Sequence, residues 1–166
     1  EFRRVLFRSK KPVARVALLT GCVQKVLSPQ INEATIRLLN RHGIEIVVSK
    51  GIDCCGSLNH HLGKSDLAHK VFKKNILIWY DEYLKNGLDA IISNTSGCGT
   101  TMKDYGFIFR ADNDFKKKAK KISELTKDIS EYIDENIKLH FINNKENKKK
   151  YKIAYHSACS MQHGQK

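Results

Sequence analysis

A chain of 166 residues, 41% of them hydrophobic, is one domain's worth of sequence with enough apolar mass for a core. No apolar run reaches the roughly 18 residues that span a bilayer, and neither a signal-peptide core nor a cleavage site follows the basic start, so the sequence predicts a cytoplasmic protein, or one held peripherally at the inner membrane. The formal charge of +13 does not imply nucleic acid: much of it sits in Lys116, Lys117, Lys118, Lys120 and Lys121 and in Lys145, Lys148, Lys149, Lys150 and Lys152, and it reads as A/T-rich codon composition on a solvated surface, with an acidic partner or anionic membrane as the alternative.

Residues 1–9, Glu1-Phe2-Arg3-Arg4-Val5-Leu6-Phe7-Arg8-Ser9, read codon for codon as GAG TTC AGA CGT GTG CTC TTC CGA TCT. That string resembles the end of a common short-read sequencing adapter translated in frame. The alternative is a basic amphipathic arm. On the adapter reading, 1–9 contribute nothing to the core, and the natural sequence starts near Lys10.

From there the chain alternates strand and helix signals. Val13 to Thr20 is a nearly continuous apolar run, as in a strand buried on both faces, and it ends at Gly21-Cys22. Ser28-Pro29 opens a helix whose apolar stripe is Ile31, Ala34, Ile36, Leu38 and Leu39, closed by His42-Gly43. Ile44 to Val48 is a second strand, and Gly51 to Gly56 is a loop carrying Cys54-Cys55. A long helix is expected from about Ser65 to Lys85, with Val71, Ile76, Trp79, Tyr80 and Tyr83 inward, ended by Asn86-Gly87. Leu88 to Ser93 is a third buried strand, running into the small-residue turn Asn94 to Gly99 that holds Cys98. One amphipathic helix is expected from about Asp114 to Asn136, a short strand at Leu139 to Ile142, and a last strand from Ile153 to Tyr155 leading to His156-Ser157-Ala158-Cys159. The pattern predicts an α/β fold with a parallel or mixed sheet and helices on both faces. Cys22, Cys54, Cys55 and Cys98 then fall at the C-terminal strand edge, where open α/β sheets bind ligands.

Five cysteines in a chain read as cytoplasmic point to metal or redox chemistry and away from structural disulfides. Cys22 precedes Cys54-Cys55-Gly56 by 31 intervening residues, 42 more separate Cys55 from Cys98, and each of the three cysteine segments carries a glycine beside a thiol: Gly21, Gly56, or Gly97 and Gly99. Four thiolates are the usual ligand set of one iron–sulfur cluster, whose sulfides accept hydrogen bonds from closely approaching backbone N–H groups. Four thiolates also suit structural zinc, but zinc sites usually recruit C-x-x-C pairs, and none is present. Buried free cysteines, or a dithiol in which Cys54-Cys55 cycles through a disulfide, are the remaining alternatives.

Four segments carry a family resemblance: GCVQ at 21–24, DCCGSLNHHLG at 53–63, NTSGCGTTMKDYG at 94–106 and YHSACSMQHGQ at 155–165. Together they resemble the iron–sulfur subunits of bacterial glycolate oxidases. More broadly they resemble the cysteine-rich CCG domain shared with a subunit of heterodisulfide reductase, lactate-utilisation proteins and the small subunit of anaerobic glycerol-3-phosphate dehydrogenase. The resemblance implies a ferredoxin-like region with two 4Fe–4S clusters followed by two CCG repeats. This chain would hold the first repeat, in 10–150, with Cys22, Cys54, Cys55 and Cys98 on a cluster, 4Fe–4S being the expected type. It would also hold the start of the second, in 151–166, opened by Cys159. One position departs from the pattern: the general motif closes with C-x-x-C, and here Thr101 replaces the last cysteine.

The implied function is electron transfer. Electrons would pass from flavin-containing glycolate oxidase subunits through iron–sulfur centres toward the quinone pool, with no hydroxy-acid site on this chain. His60 and His61 are expected at most to donate to, or ligate at, the cysteine site, and helix-start residues with satisfied polar groups are the plainer reading. His156 and His163 bracket Cys159, and Asp104-Tyr105 is expected to cap and pack locally. The rival function is a non-redox interaction domain whose thiols hold zinc or stay empty.

Overall fold

A computed structural model describes residues 12–139 and 152–164. Residues 1–9 and the greater part of the Lys/Asn segment lie outside them.

The described chain runs β1 (Ala14–Leu18), α1 (Gln24–Leu27), α2 (Pro29–Arg41), β2 (Ile44–Val47), α3 (Ser57–His61), α4 (Ser65–Asn86), β3 (Ala90–Ser93), α5 (Ser96–Lys103), α6 (Tyr105–Ile108), α7 (Lys116–Leu125), β4 (Thr126–Asp128), α8 (Ile129–Asn136) and α9 (Cys159–Gly164). The strands form one parallel sheet in the order β2-β1-β3-β4. Consecutive side chains of β1 and β3 point to opposite faces, and both faces are covered. Ala17, Leu19 and Ile91 pack with Phe72, Ile76 and Trp79 of α4 and with Ala119, Ile122 and Leu125 of α7. Val16, Leu18, Ala90 and Ile92 pack with Ile36 and Leu39 of α2 and Tyr132 of α8. This explains why β1 and β3 read as apolar runs without alternation. Among the described residues no helix is long and apolar enough to cross a membrane.

Several local expectations are corrected. The single helix expected over 114–136 is two helices on opposite faces of the sheet, α7 in one core and α8 in the other. The three residues of β4 carry the chain between them, too few to show a strand period in sequence. Asp128 then caps α8 through a capping box with Glu131. The expected turn at 94–99 is largely helix: α5 begins at Ser96, so Cys98 lies in its first turn. Ile153 to Tyr155 forms no strand and is exposed; with no strand beside it among the described residues, its apolar side chains gain nothing there, and Cys159 opens α9 instead. Leu139 has no regular structure, and 140–142 lie outside the described residues. In α2 the buried residues are Asn32, Thr35, Ile36 and Leu39, whereas Ile31 of the expected stripe is exposed.

Candidate metal centre

The strand order reverses at β1, which is flanked by β2 and β3. In open α/β sheets this topological switch opens a crevice beyond the C-terminal strand ends. Cys22 follows the end of β1, Cys54 and Cys55 follow β2, and Cys98 follows β3. Three strand ends far apart in sequence thus deliver four thiols to one place.

The thiols meet as two neighbouring pairs. Cys55 Sγ donates to Cys98 Sγ across 2.9 Å. Cys54 lies close enough to Cys22 for that thiol to help raise its own, and Cys98 lies near both. Cys22 is exposed at the rim, Cys54 and Cys98 are half-buried, and Cys55 is buried. Among the described residues no three of His, Cys, Asp and Glu surround a single point as the ligands of one ion would. Burial lifts the Cys54 thiol from an ordinary 9.0 to about 11. Cys55 is pushed up because it donates to Cys98 and is buried, and the same donated proton holds Cys98 below its usual range. The short thiol–thiol contact of Cys55 is thus made with Cys98, 43 positions away in sequence.

The CCG turn is built on Gly56, whose φ of +84 is favourable only for glycine. A Cβ there would stand 2.6 Å from the Phe72 ring, so the turn lies directly on the α4 core. This close seat turns successive N–H groups onto sulfur: Gly56 N donates to Cys54 Sγ at 3.3 Å and Ser57 N to Cys55 Sγ at 3.4 Å. Thr101, at the position of the absent last cysteine, is buried, with Oγ1 2.9 Å from Ser57 Oγ and 3.1 Å from the Gly97 carbonyl. Its hydroxyl joins the CCG turn to the helix of Cys98, so the position is structural here.

Residues that the sequence did not single out, together with Tyr105, hold the frame. Asn32 is wholly buried; its Oδ1 accepts from Gln24 and its Nδ2 donates to the Thr20 carbonyl at 2.8 Å. Gln24 Nε2 also donates to Asn94 Oδ1 at 2.6 Å, and Thr95 Oγ1 donates to Gln24 Oε1. Buried Asn75 donates to the Cys54 carbonyl at 2.7 Å, and buried Tyr105 donates to the Cys55 carbonyl at 2.7 Å. The sequence signal for Asn75 was a polar residue on the inward line of a long amphipathic helix, one turn before Trp79. Lys25 of α1 pairs with Asp53 at 2.6 Å, holding that carboxyl below its ordinary range.

His60 packs edge-on to Phe72, and its Nδ1 is buried without a partner among the described residues. His61 lies beside it and is exposed. His156 and His163 are exposed, as is Cys159. The helix α9 rests on α5, with Ser160 Oγ donating to Ser96 Oγ at 2.8 Å. Around the thiols stand exposed apolar residues: Val23, Val26 and Leu27 beyond Cys22, and Leu58 and Leu62 beyond the CCG turn.

Against known families, residues 16–103 match the cysteine-rich domain CCG. The chain is 36% identical over 154 residues to the glycolate oxidase iron-sulfur subunit of Escherichia coli (strain K12), covering 92% of this chain and 36% of that one. It is 31% identical over 121 residues to the probable glycolate oxidase iron-sulfur subunit of Bacillus subtilis (strain 168), covering 73% of this chain and 26% of that one. It is 30% identical over 152 residues to an iron-sulfur protein of Methanococcus maripaludis, covering 92% of this chain and 26% of that one. The chain thus spans between about a quarter and a third of the length of these curated relatives. No solved structure matches it.

Proposed function

This chain belongs to the cysteine-rich CCG domain family, and from that membership we propose that it is the cluster-holding part of an iron–sulfur electron-transfer subunit of a glycolate dehydrogenase complex. Cys22, Cys54, Cys55 and Cys98 are the proposed ligands, and 4Fe–4S the proposed type. The observation that carries the reading is the convergence of these thiols, from three strand ends, on a turn whose N–H groups face sulfur. Two side-by-side thiol pairs suit a multi-iron cluster better than one tetrahedral zinc. Bound there, the cluster would supply one-electron storage and transfer.

The protein's own contribution is to hold and shield. The buried Cys55 side excludes water, while the exposed Cys22 side leaves one face open to a redox partner. The apolar rim of Val23, Val26, Leu27, Leu58 and Leu62 suits the docking of a flavin subunit, with electrons passing on toward quinone. Cytoplasmic placement, with peripheral attachment to the inner membrane, fits that route. Residues 10–150 are the proposed first CCG domain and 151–166 the opening of a second; His60 and His61 are left as neighbours of the site.

Anaerobic reconstitution with iron and sulfide tests the reading. The expected product is brown, and its absorbance bleaches with dithionite. Cys55→Ser should lose most of the bound iron, whereas Cys159→Ser, at an exposed position on α9, should keep it. A colourless chain that takes up zinc stoichiometrically would favour the interaction-domain rival. Equal iron loss in both serine variants would show that the two repeats share one site.

A further inference from the structure

The carbonyl of Cys55 and the N–H of Gly56 belong to one planar peptide unit, and they point in opposite directions. On one side, the buried Tyr105 hydroxyl donates to that carbonyl at 2.7 Å. On the other, the N–H donates to Cys54 Sγ at 3.3 Å. The hydroxyl itself is oriented by Asn75, whose Nδ2 lies 3.5 Å from it and also donates to the Cys54 carbonyl at 2.7 Å. Both side chains are all but fully buried.

From this geometry we infer that Tyr105 and Asn75 are positioning residues that tune the Cys54 sulfur through the Cys55–Gly56 peptide. A hydrogen bond accepted by a carbonyl polarises its peptide and makes the N–H of the same unit a better donor. The relay runs from the Asn75 amide to the Tyr105 hydroxyl, through the peptide, to the sulfur. It also fixes the rotation of the turn, because two successive carbonyls, that of Cys54 held by Asn75 and that of Cys55 held by Tyr105, cannot swing toward the sulfurs and replace a favourable N–H contact with a repulsive one. N–H donors to sulfur stabilise the more negative, reduced state of a metal–thiolate centre, so the relay raises the potential of the site. Neither residue touches a sulfur, and Tyr105 is a phenol kept protonated: burial pushes it well above its usual range.

The redox consequence rests on the iron–sulfur reading; the relay itself does not. The test therefore has two readouts, with Tyr132→Phe as the control: a second buried tyrosine, in the opposite core. In the metal-free chain, hydrogen exchange of the Gly56 amide should quicken about fivefold in Tyr105→Phe, the effect of losing one typical hydrogen bond, and stay unchanged in Tyr132→Phe. In the iron-loaded chain, Tyr105→Phe should keep the wild-type iron content and show a more negative midpoint potential, and Tyr132→Phe should not. Asn75→Ala should shift both readouts in the same direction, and it serves if the tyrosine variant folds poorly. Wild-type Gly56 exchange in a folded Tyr105→Phe or Asn75→Ala chain would overturn the relay. So would full iron content at an unshifted potential. Failure of the wild type to load iron would sink the iron–sulfur reading and leave the exchange result to decide the relay.

Discussion

Asn94 Nδ2 donates to Asn32 Oδ1 at 3.0 Å, joining the end of β3 to the first turn of α2 across 62 residues of sequence. Gln24 donates to the same oxygen. Gln24 lies two residues beyond Cys22, and Asn94 four before Cys98, so these amides set two cysteine loops against each other.

Asn32 is fully buried, and Asn32→Ala would take one acceptor from the half-buried amides of Gln24 and Asn94 and the side-chain donor from the buried Thr20 carbonyl. The expected loss is about 1–3 kcal/mol. Urea unfolding should show a lower midpoint at unchanged slope. A variant as stable as wild type would show that the network is dispensable.

Gly56→Ala combines a positive φ with a Cβ 2.6 Å from the Phe72 ring. A left-handed non-glycine residue alone costs about 1–2 kcal/mol, and overpacking adds to it. The expected outcome is a chain destabilised by about 2–4 kcal/mol in denaturant, with reduced iron uptake after reconstitution because Gly56 also supplies a donor to Cys54. Alanine tolerated at wild-type stability would mean that the turn does not sit on α4 as described.

A Cβ at Gly164 would fall 2.1 Å from Thr100 Cγ2, so α9 touches α5 through a glycine. Gly164→Ala should lift α9 off while leaving the sheet intact. Hydrogen exchange should quicken in 159–164 and at Ser96, with global stability changed by no more than about 0.5 kcal/mol. Unchanged exchange in α9 would count against the contact.

The thiols give a pH dependence of definite sign. Cys54 is raised from 9.0 to about 11 in the folded chain, so the folded state holds its proton to higher pH than the unfolded state does. The stability this contributes is fully present below pH 9 and is lost as pH rises toward 11. Metal-free protein should therefore lose stability over that window in thermal scans. Cys54→Ser should lessen the loss, leaving the share of the raised Cys55 thiol, and iron loading should remove it, because a ligating thiolate carries no proton. An equal alkaline loss in the serine variant would assign the effect to other groups.

The sequence by itself determined the α/β class and which thiols stand at strand ends, because those signals are local. An apolar run such as Val13 to Thr20 broken by Gly21-Cys22 marks a doubly covered strand running into a loop, and the CCG motif marks its own turn. The tertiary structure alone decided the rest. Strand order β2-β1-β3-β4 has no local signature, yet it sets Cys22 and Cys98 on the two sides of one crevice. It pairs Cys55 with Cys98, 43 positions away, although Cys54 is its neighbour in the chain. β4 escaped notice because three residues cannot display a period, and the helices flanking it are each amphipathic toward a different face of the sheet. Tyr105 read as a local packing residue and Asn75 had no reading at all; they are 30 positions apart, and only folding brought both to the carbonyls of the CCG turn. Hydrogen-bond partners of a buried turn are chosen by distance in space, and a chain records only distance along itself.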